Sequence, residues 1–318
     1  MSKIDARNGA IGLVPPELDG AIVSNDFPSF YFRDPAKCDA AFMGWLVRSA
    51  RFVELCKSAS EGTTNRVRIK EDRFLDQQIG LPRLSEQQAI VARLNALAEK
   101  TREVEVHLDG VERDADHLLA LRFRDAIVDA QLWSMAEVAP AIRRPVDIDI
   151  AKRYREIGAR SFGKGLFVKP DFDGAEATWQ KPVWIKAGDL VLSNIKAWEG
   201  AIALAGDEHD GCIASHRYIT CVPEHSMATA GFLAYYLLSE EGLEKVGLAS
   251  PGTADRNRTL SLGNLGRIDV PVPALSAQRS FDRLQSEVAA LKGKHSAIRQ
   301  ANAALIPATL ERVFSETR

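Results

Sequence analysis

Few residues of this chain are spaced for catalysis. Six histidines, His107, His117, His209, His216, His225 and His295, show no HExxH or similar spacing that would aim two imidazoles at one metal ion. Four cysteines, Cys38, Cys56, Cys212 and Cys221, form no CxxC pair and read as reduced, mostly buried thiols. There is no GxxxxGK[ST] run, and the glycines of SFGKGLF (Ser161 to Phe167) follow no strand-helix pattern that would cradle a phosphate. Neither an NPPY- or DPPY-like motif nor a carboxylate cluster ending in (D/E)xK is present. These patterns predict a chain without catalytic residues, metal or cofactor of its own.

The basic residues carry more information. Arg143, Arg144, Lys152, Arg153, Arg155, Arg160, Lys164 and Lys169 crowd one stretch, against Asp147, Asp149 and Glu156. Arg and Lys beside Gly, Ser and aromatic residues suit phosphate contacts, and Arg also bonds guanine through two hydrogen bonds in a major groove. A solvated basic face is the plainer alternative. The loops GTTNRVR (Gly62 to Arg68) and GTADRNR (Gly252 to Arg258) place Arg66, Arg68, Arg256 and Arg258 alike, which suits loop bracing at least as well as base reading. Arg217, aligned with Asp26, differs between the two copies and is the better candidate for specificity.

The elements that must position these residues are written twice. IDARNGAIGLVPPELDG (Ile4 to Gly20) returns about 190 residues later as IKAWEGAIALAGDEHDG (Ile195 to Gly211). Phe42, Trp45 and Ser49 are answered by Phe232, Tyr235 and Ser239, and Pro82 and Ser85 by Pro273 and Ser276. Each unit is a globular part followed by a long charged helix, Glu86 to Ala130 and Ala277 to Arg318. Each helix is entered from a Pro-containing exit with Ser as the expected N-cap. In the first, Ile90, Val91, Leu94, Leu97, Val104 and Leu108 recur at helical steps, too few to bury alone, so the two helices are expected to pair as an antiparallel coiled coil. At ~1.5 Å per residue such a helix would serve as a spacer.

Between them, PVWI, DLVLSNI, GAIALA and HRYITCVP read as strands of a compact mixed sheet. MATAGFLAYYLLSEEGLEKVG reads as one amphipathic helix ended by Gly247. The expected division is 1–80, the later part of a first globular domain; 81–130, a helical spacer; 131–275, a complete second globular domain; and 276–318, a second spacer. Residues 131–194 have no counterpart in the first copy, so that copy is expected to lack its front. With 318 residues, 46% of them hydrophobic, and a formal net charge of -2, the chain has a core and no global basic field. No apolar leader and no run near ~20 apolar residues is present, which predicts a cytoplasmic protein.

Globular part, helix, globular part, helix, with exits IGLPRLSEQQAIVARL and VPVPALSAQRSFDRL, resembles the DNA-specificity (S) subunit of type I restriction-modification systems. RSFGKGLF, IKAGDLVLSNIKAWEGAIA and HDGCIASHRYITCVP look like its target recognition domain. The resemblance implies an α+β fold and a non-enzymatic, cofactor-free subunit. Its partners would be double-stranded DNA, methyltransferase (M) subunits docked on the helices, and restriction (R) subunits joined through that complex. Residues 131–275 would enter a DNA major groove. Arg153, Arg155, Arg160, Ser161, Lys164, Lys169, Lys196, Arg217, Arg256 and Arg258 would lie near the duplex, and His216 or Asn194 would help read base edges. For the shortened first domain, self-association or a complementing half-subunit would supply the missing strands. The alternative is a truncated or split subunit that binds methyltransferase as a scaffold without productive DNA recognition.

Overall fold

The computed structural model describes residues 1–62, 67–177, 181–252 and 258–315. The chain divides into two compact units, Met1–Arg113 with Leu291–Arg318, and Asp114–Ala290. Each contains one globular part, the beginning of the helix that follows it, and the end of the other copy's helix. The two long helices run over Leu84–Ile127 and Leu275–Ser315.

In the first unit, a one-turn helix at Ala6–Asn8 ends on Gly9 with φ +88°. Helices Ala40–Leu46 and Ala50–Ser58 follow, started by Asp39 and Ser49, whose side chains accept the backbone N–H of Phe42 and Phe52. Their apolar faces close on Phe42, Trp45, Leu46, Phe52 and Cys56, completed by Leu94 of the first long helix and Leu310 and Phe314 of the second. Within this unit the helices run antiparallel, because partners on one ascend as those on the other descend. His295 meets Glu112 at 3.0 Å, Arg299 meets Glu105 at 2.6 Å, and the Asn302 amide donates to the Thr101 carbonyl at 2.9 Å. The seam is more polar than the periodicity suggests: Leu94 and Leu108 are buried, but Val104 is 36% exposed.

The second unit repeats this plan with more strands. Leu190–Ser193 is fully buried and lies between Ile202–Leu204 and Tyr218–Cys221. Smaller ladders pair Val183–Trp184 with Ile213–Ala214, Arg153–Tyr154 with Phe172–Asp173, and Ile157–Ala159 with Leu166–Val168. The expected mixed sheet is thus a set of short antiparallel ladders; among the described residues the parallel contact is an isolated bridge, Glu156 to Ile213. Gln131–Ser134, entering from the first long helix, pairs with Asp269–Val272, which leads into the second.

The apolar run after Met227 forms two helices, Ala230–Leu238 and Glu240–Leu248, where one was expected. Ser239 divides them: its backbone is extended, with ψ 165°, and its hydroxyl accepts the N–H of Gly242 as the cap of the second helix. Phe232, Leu233, Tyr236 and Leu237 fill the core with Leu119, Phe123, Phe281 and Val288 from the long helices.

The junctions into the long helices correct a further expectation. The helices begin at Leu84 and Leu275, so Ser85 and Ser276 lie inside the first turn and do not cap it. The residues that fasten each junction are the buried Gln87 and Gln278. Gln87 Nε2 donates to the carbonyls of Lys37 and Pro82, while its Oε1 accepts the N–H of Asp39. Gln278 makes the same three bonds to Met227, Pro273 and Thr229. A glutamine thus ties each long helix to the residue that starts the first core helix of its own copy.

Candidate nucleic-acid interface

The basic stretch folds as a β-hairpin in the second unit. Its register pairs Ala159 with Leu166, and the Arg160 N–H donates to the Gly165 carbonyl at 3.0 Å. That register leaves Phe162 and Gly163 as the two turn residues, with φ +62° and +65°. Positive φ at both central positions is the signature of the type I′ turn, one of the two that follow the twist of their strands. Arg160 and Lys164 are exposed on either side of the turn. The Arg160 guanidinium lies over the Phe167 ring at 4.5 Å and its Nη1 donates to the Leu166 carbonyl at 3.5 Å, while the residue as a whole stays exposed.

A second segment, Asn194 to Gly200, fastens this hairpin. The N–H groups of Phe162 and Gly163 donate to the carbonyls of Glu199 and Gly200 at 2.8 and 2.9 Å. Gly200 has φ +81°, and a Cβ there would stand 3.3 Å from the Phe162 nitrogen, so the approach favours glycine. Glu199 accepts from Lys196 at 2.6 Å and from Ser161 Oγ at 2.9 Å. The Lys196 bond, with help from Ser161, holds the Glu199 carboxyl below the usual carboxylate range. Trp198 is covered by Lys196 at 5.0 Å and by Arg258 at 4.4 Å.

The structure therefore brings together Ser161, Lys196 and Arg258 around Glu199 and Trp198, beside the hairpin that carries Arg160 and Lys164. Asn194 and Arg217 are joined through backbone, the N–H of Asn194 donating to the Arg217 carbonyl at 2.8 Å. Arg217 and His216 are exposed, whereas the Asn194 Oδ1 is buried without a partner. Arg258 donates to the carbonyls of Gly247 and Ser250, a brace on the end of the helix Glu240–Leu248. Arg68, its counterpart in the first unit, pairs with Asp26. Arg66 and Arg256 lie outside the described residues.

Other cations of the stretch are engaged elsewhere. Arg153 pairs with Asp173 at 3.2 Å, Lys169 with Glu156 at 2.9 Å, and Arg155 donates to the Asp210 carbonyl at 3.2 Å. Arg144 makes a two-pronged bond to the buried Asp189, whose carboxylate also accepts the Lys186 N–H, so it holds the domain together. Exposed pairs such as Arg153 with Asp173 contribute only about 0.2–1 kcal/mol, little enough for a phosphate to compete for the cation.

Sequence reading passed over Phe162, Trp198 and Glu199. Phe-Gly is not among the residue pairs that mark a two-residue hairpin turn, and the partnership of Glu199 with Ser161 is long-range and leaves no local mark. Among the described residues no group of three or more His, Cys, Asp or Glu is placed to hold a metal ion, and no helix is long and apolar enough to cross a membrane.

No family model matches the chain, and no curated protein matches it by sequence. Solved structures do. The HsdS subunit from Thermoanaerobacter tengcongensis superposes with a TM-score of 0.58 at 21% identity, over 96% of this chain and 77% of that one. A chain from work on the complex assembly and conformational transition of the type I R-M system superposes with a TM-score of 0.68 at 22% identity, over 95% of this chain and 77% of its own. The chain shares their fold.

Proposed function

We propose that this protein is the DNA sequence-recognition subunit of a type I restriction-modification complex, working in the cytoplasm without catalysis of its own. Residues 131–275 read one half of a bipartite site. The long helices dock methyltransferase subunits and set the gap between half-sites, and restriction subunits join through that complex. The observation that carries this reading is the fold shared with HsdS over 96% of the chain, a span that includes both globular parts and both helices.

The charges fit such a division of labour. With a formal net charge of -2 the chain has little bulk attraction for DNA, so affinity from phosphate contacts is shared with partners. Specificity then falls to a few exposed side chains. In this reading Arg160 and Lys164 set register on phosphates, and Arg217, with His216 or Asn194, meets base edges; the exposure of Arg160, Lys164, His216 and Arg217 supports it.

Binding measured with the methyltransferase subunit present tests this. Arg160→Ala should weaken cognate and random duplexes alike and lower the salt dependence by about one phosphate contact. Arg217→Ala should lose roughly 1–3 kcal/mol of discrimination for cognate DNA. If both variants bind like the parent while still co-purifying with methyltransferase, the chain is an assembly scaffold and this site is wrong.

A further inference from the structure

Phe162 occupies a position that its own chemistry disfavours. It is the first central residue of a two-residue hairpin turn with φ +62°, where Asn, Asp or Gly is preferred. A side chain with a Cβ meets its own backbone in that conformation. Burial does not compensate, since Phe162 is 76% exposed.

The turn is also fastened. Both of its N–H groups are bonded to the Glu199 and Gly200 carbonyls, and Ser161 is bonded to the Glu199 carboxylate. The neighbouring backbone can approach because Gly200 has no Cβ. An exposed aromatic ring carried on a strained turn whose backbone is fastened is the pattern of a pre-organised contact residue. Its surroundings indicate the ligand. Arg160 and Lys164 flank it along the hairpin, and the Lys164 ammonium stands 5.8 Å from the ring centroid. A flat apolar ring between two cations complements a ligand with flat apolar groups between two rows of negative charge, and a two-stranded ribbon fits a DNA groove.

We propose that Phe162 is a wedge that enters a single base step of double-stranded DNA and partly unstacks it, while Arg160 and Lys164 hold the flanking phosphates. A pyrimidine-purine step, the least costly to open, is its natural target, so the wedge adds specificity at a position that no hydrogen bond reads. This rests on the DNA-recognition reading above.

The test uses the full chain with its methyltransferase subunit and duplexes carrying 2-aminopurine at successive half-site positions, the methylated base left unsubstituted. Fluorescence should rise at one position with the parent protein. Phe162→Ala should abolish the rise and weaken cognate binding about tenfold to a hundredfold, while Phe162→Trp keeps the rise. Phe162→Gly should lose the signal yet unfold at a higher temperature, since glycine relieves the left-handed strain. A parent that discriminates cognate DNA, with Phe162→Ala equal to it in affinity and signal, overturns the wedge and leaves the recognition reading intact. A parent that fails to discriminate cognate from random duplex overturns both. Loss of methyltransferase capture by Phe162→Ala with unchanged DNA binding overturns the wedge in favour of a protein contact.

Discussion

The ring of Phe123, near the end of the first long helix, lies 5.0 Å from the ring of Phe232 in the second globular core. The first unit pairs Phe314 with Phe42 in the equivalent place, at 5.5 Å and edge-on. Each globular part is therefore closed by the tail of the other copy's helix, and all four rings are buried. Removing a buried phenyl group loses its transfer energy and leaves a cavity, at a cost of about 3–5 kcal/mol. Phe314→Ala should thus expose the amides of Ala40–Leu46 to hydrogen exchange, and Phe123→Ala those of Ala230–Leu238. Unchanged protection in either helix would show that the tail does not close that core.

The two glutamine junctions should behave alike. In Gln278→Ala the carbonyls of Met227 and Pro273 and the N–H of Thr229 lose their partner, an expected loss of roughly 2–4 kcal/mol in chemical denaturation. Gln278→Glu should be no milder, because a carboxylate oxygen would then face two carbonyls where an amide donates. The same pair of changes at Gln87 should destabilise the first unit by a similar amount.

Much of the architecture was legible because the repeat preserves the residues that force backbone geometry. Gly9 and Gly200, and Gly20 and Gly211, all have positive φ at matching places. The break at Ser239 was missed because an apolar run was read across a Ser-Glu-Glu cap signal. The sheet was misjudged because strands of two to four residues carry no periodicity and their pairing is long-range. At the site, the excess of charge between Arg143 and Lys169 was visible, but which cations were already engaged was not. Arg144 is held by Asp189, 45 residues away. Phe162 sits beside glycines that carry the visible turn signal in SFGKGLF, and its own positive φ has no mark in the sequence.

The polar seam of the first unit should be acid-sensitive. Glu105 accepts from Asn302 and from Arg299, and these bonds, the Asn302 one first, hold its carboxyl below the usual range. Arg299, also bonded to Asp109 and Glu112, stays charged throughout. Because the folded pKa of Glu105 is depressed, its contribution is present above the unfolded value, near 4.3, and is lost as pH falls through the folded value. Unfolding followed from neutral pH down to about pH 3 should show Glu105→Gln less stable than the parent at neutrality and closer to it in acid. Parallel curves for the two proteins would exclude this role for Glu105.

Methylome sequencing of cells that express this chain with its methyltransferase subunit reads the central claim directly. The account predicts methylation at one defined sequence motif, present with the parent chain and lost or relaxed at particular bases with Arg217→Ala. Methyltransferase that co-purifies with the chain but leaves no sequence-specific methylation would contradict it.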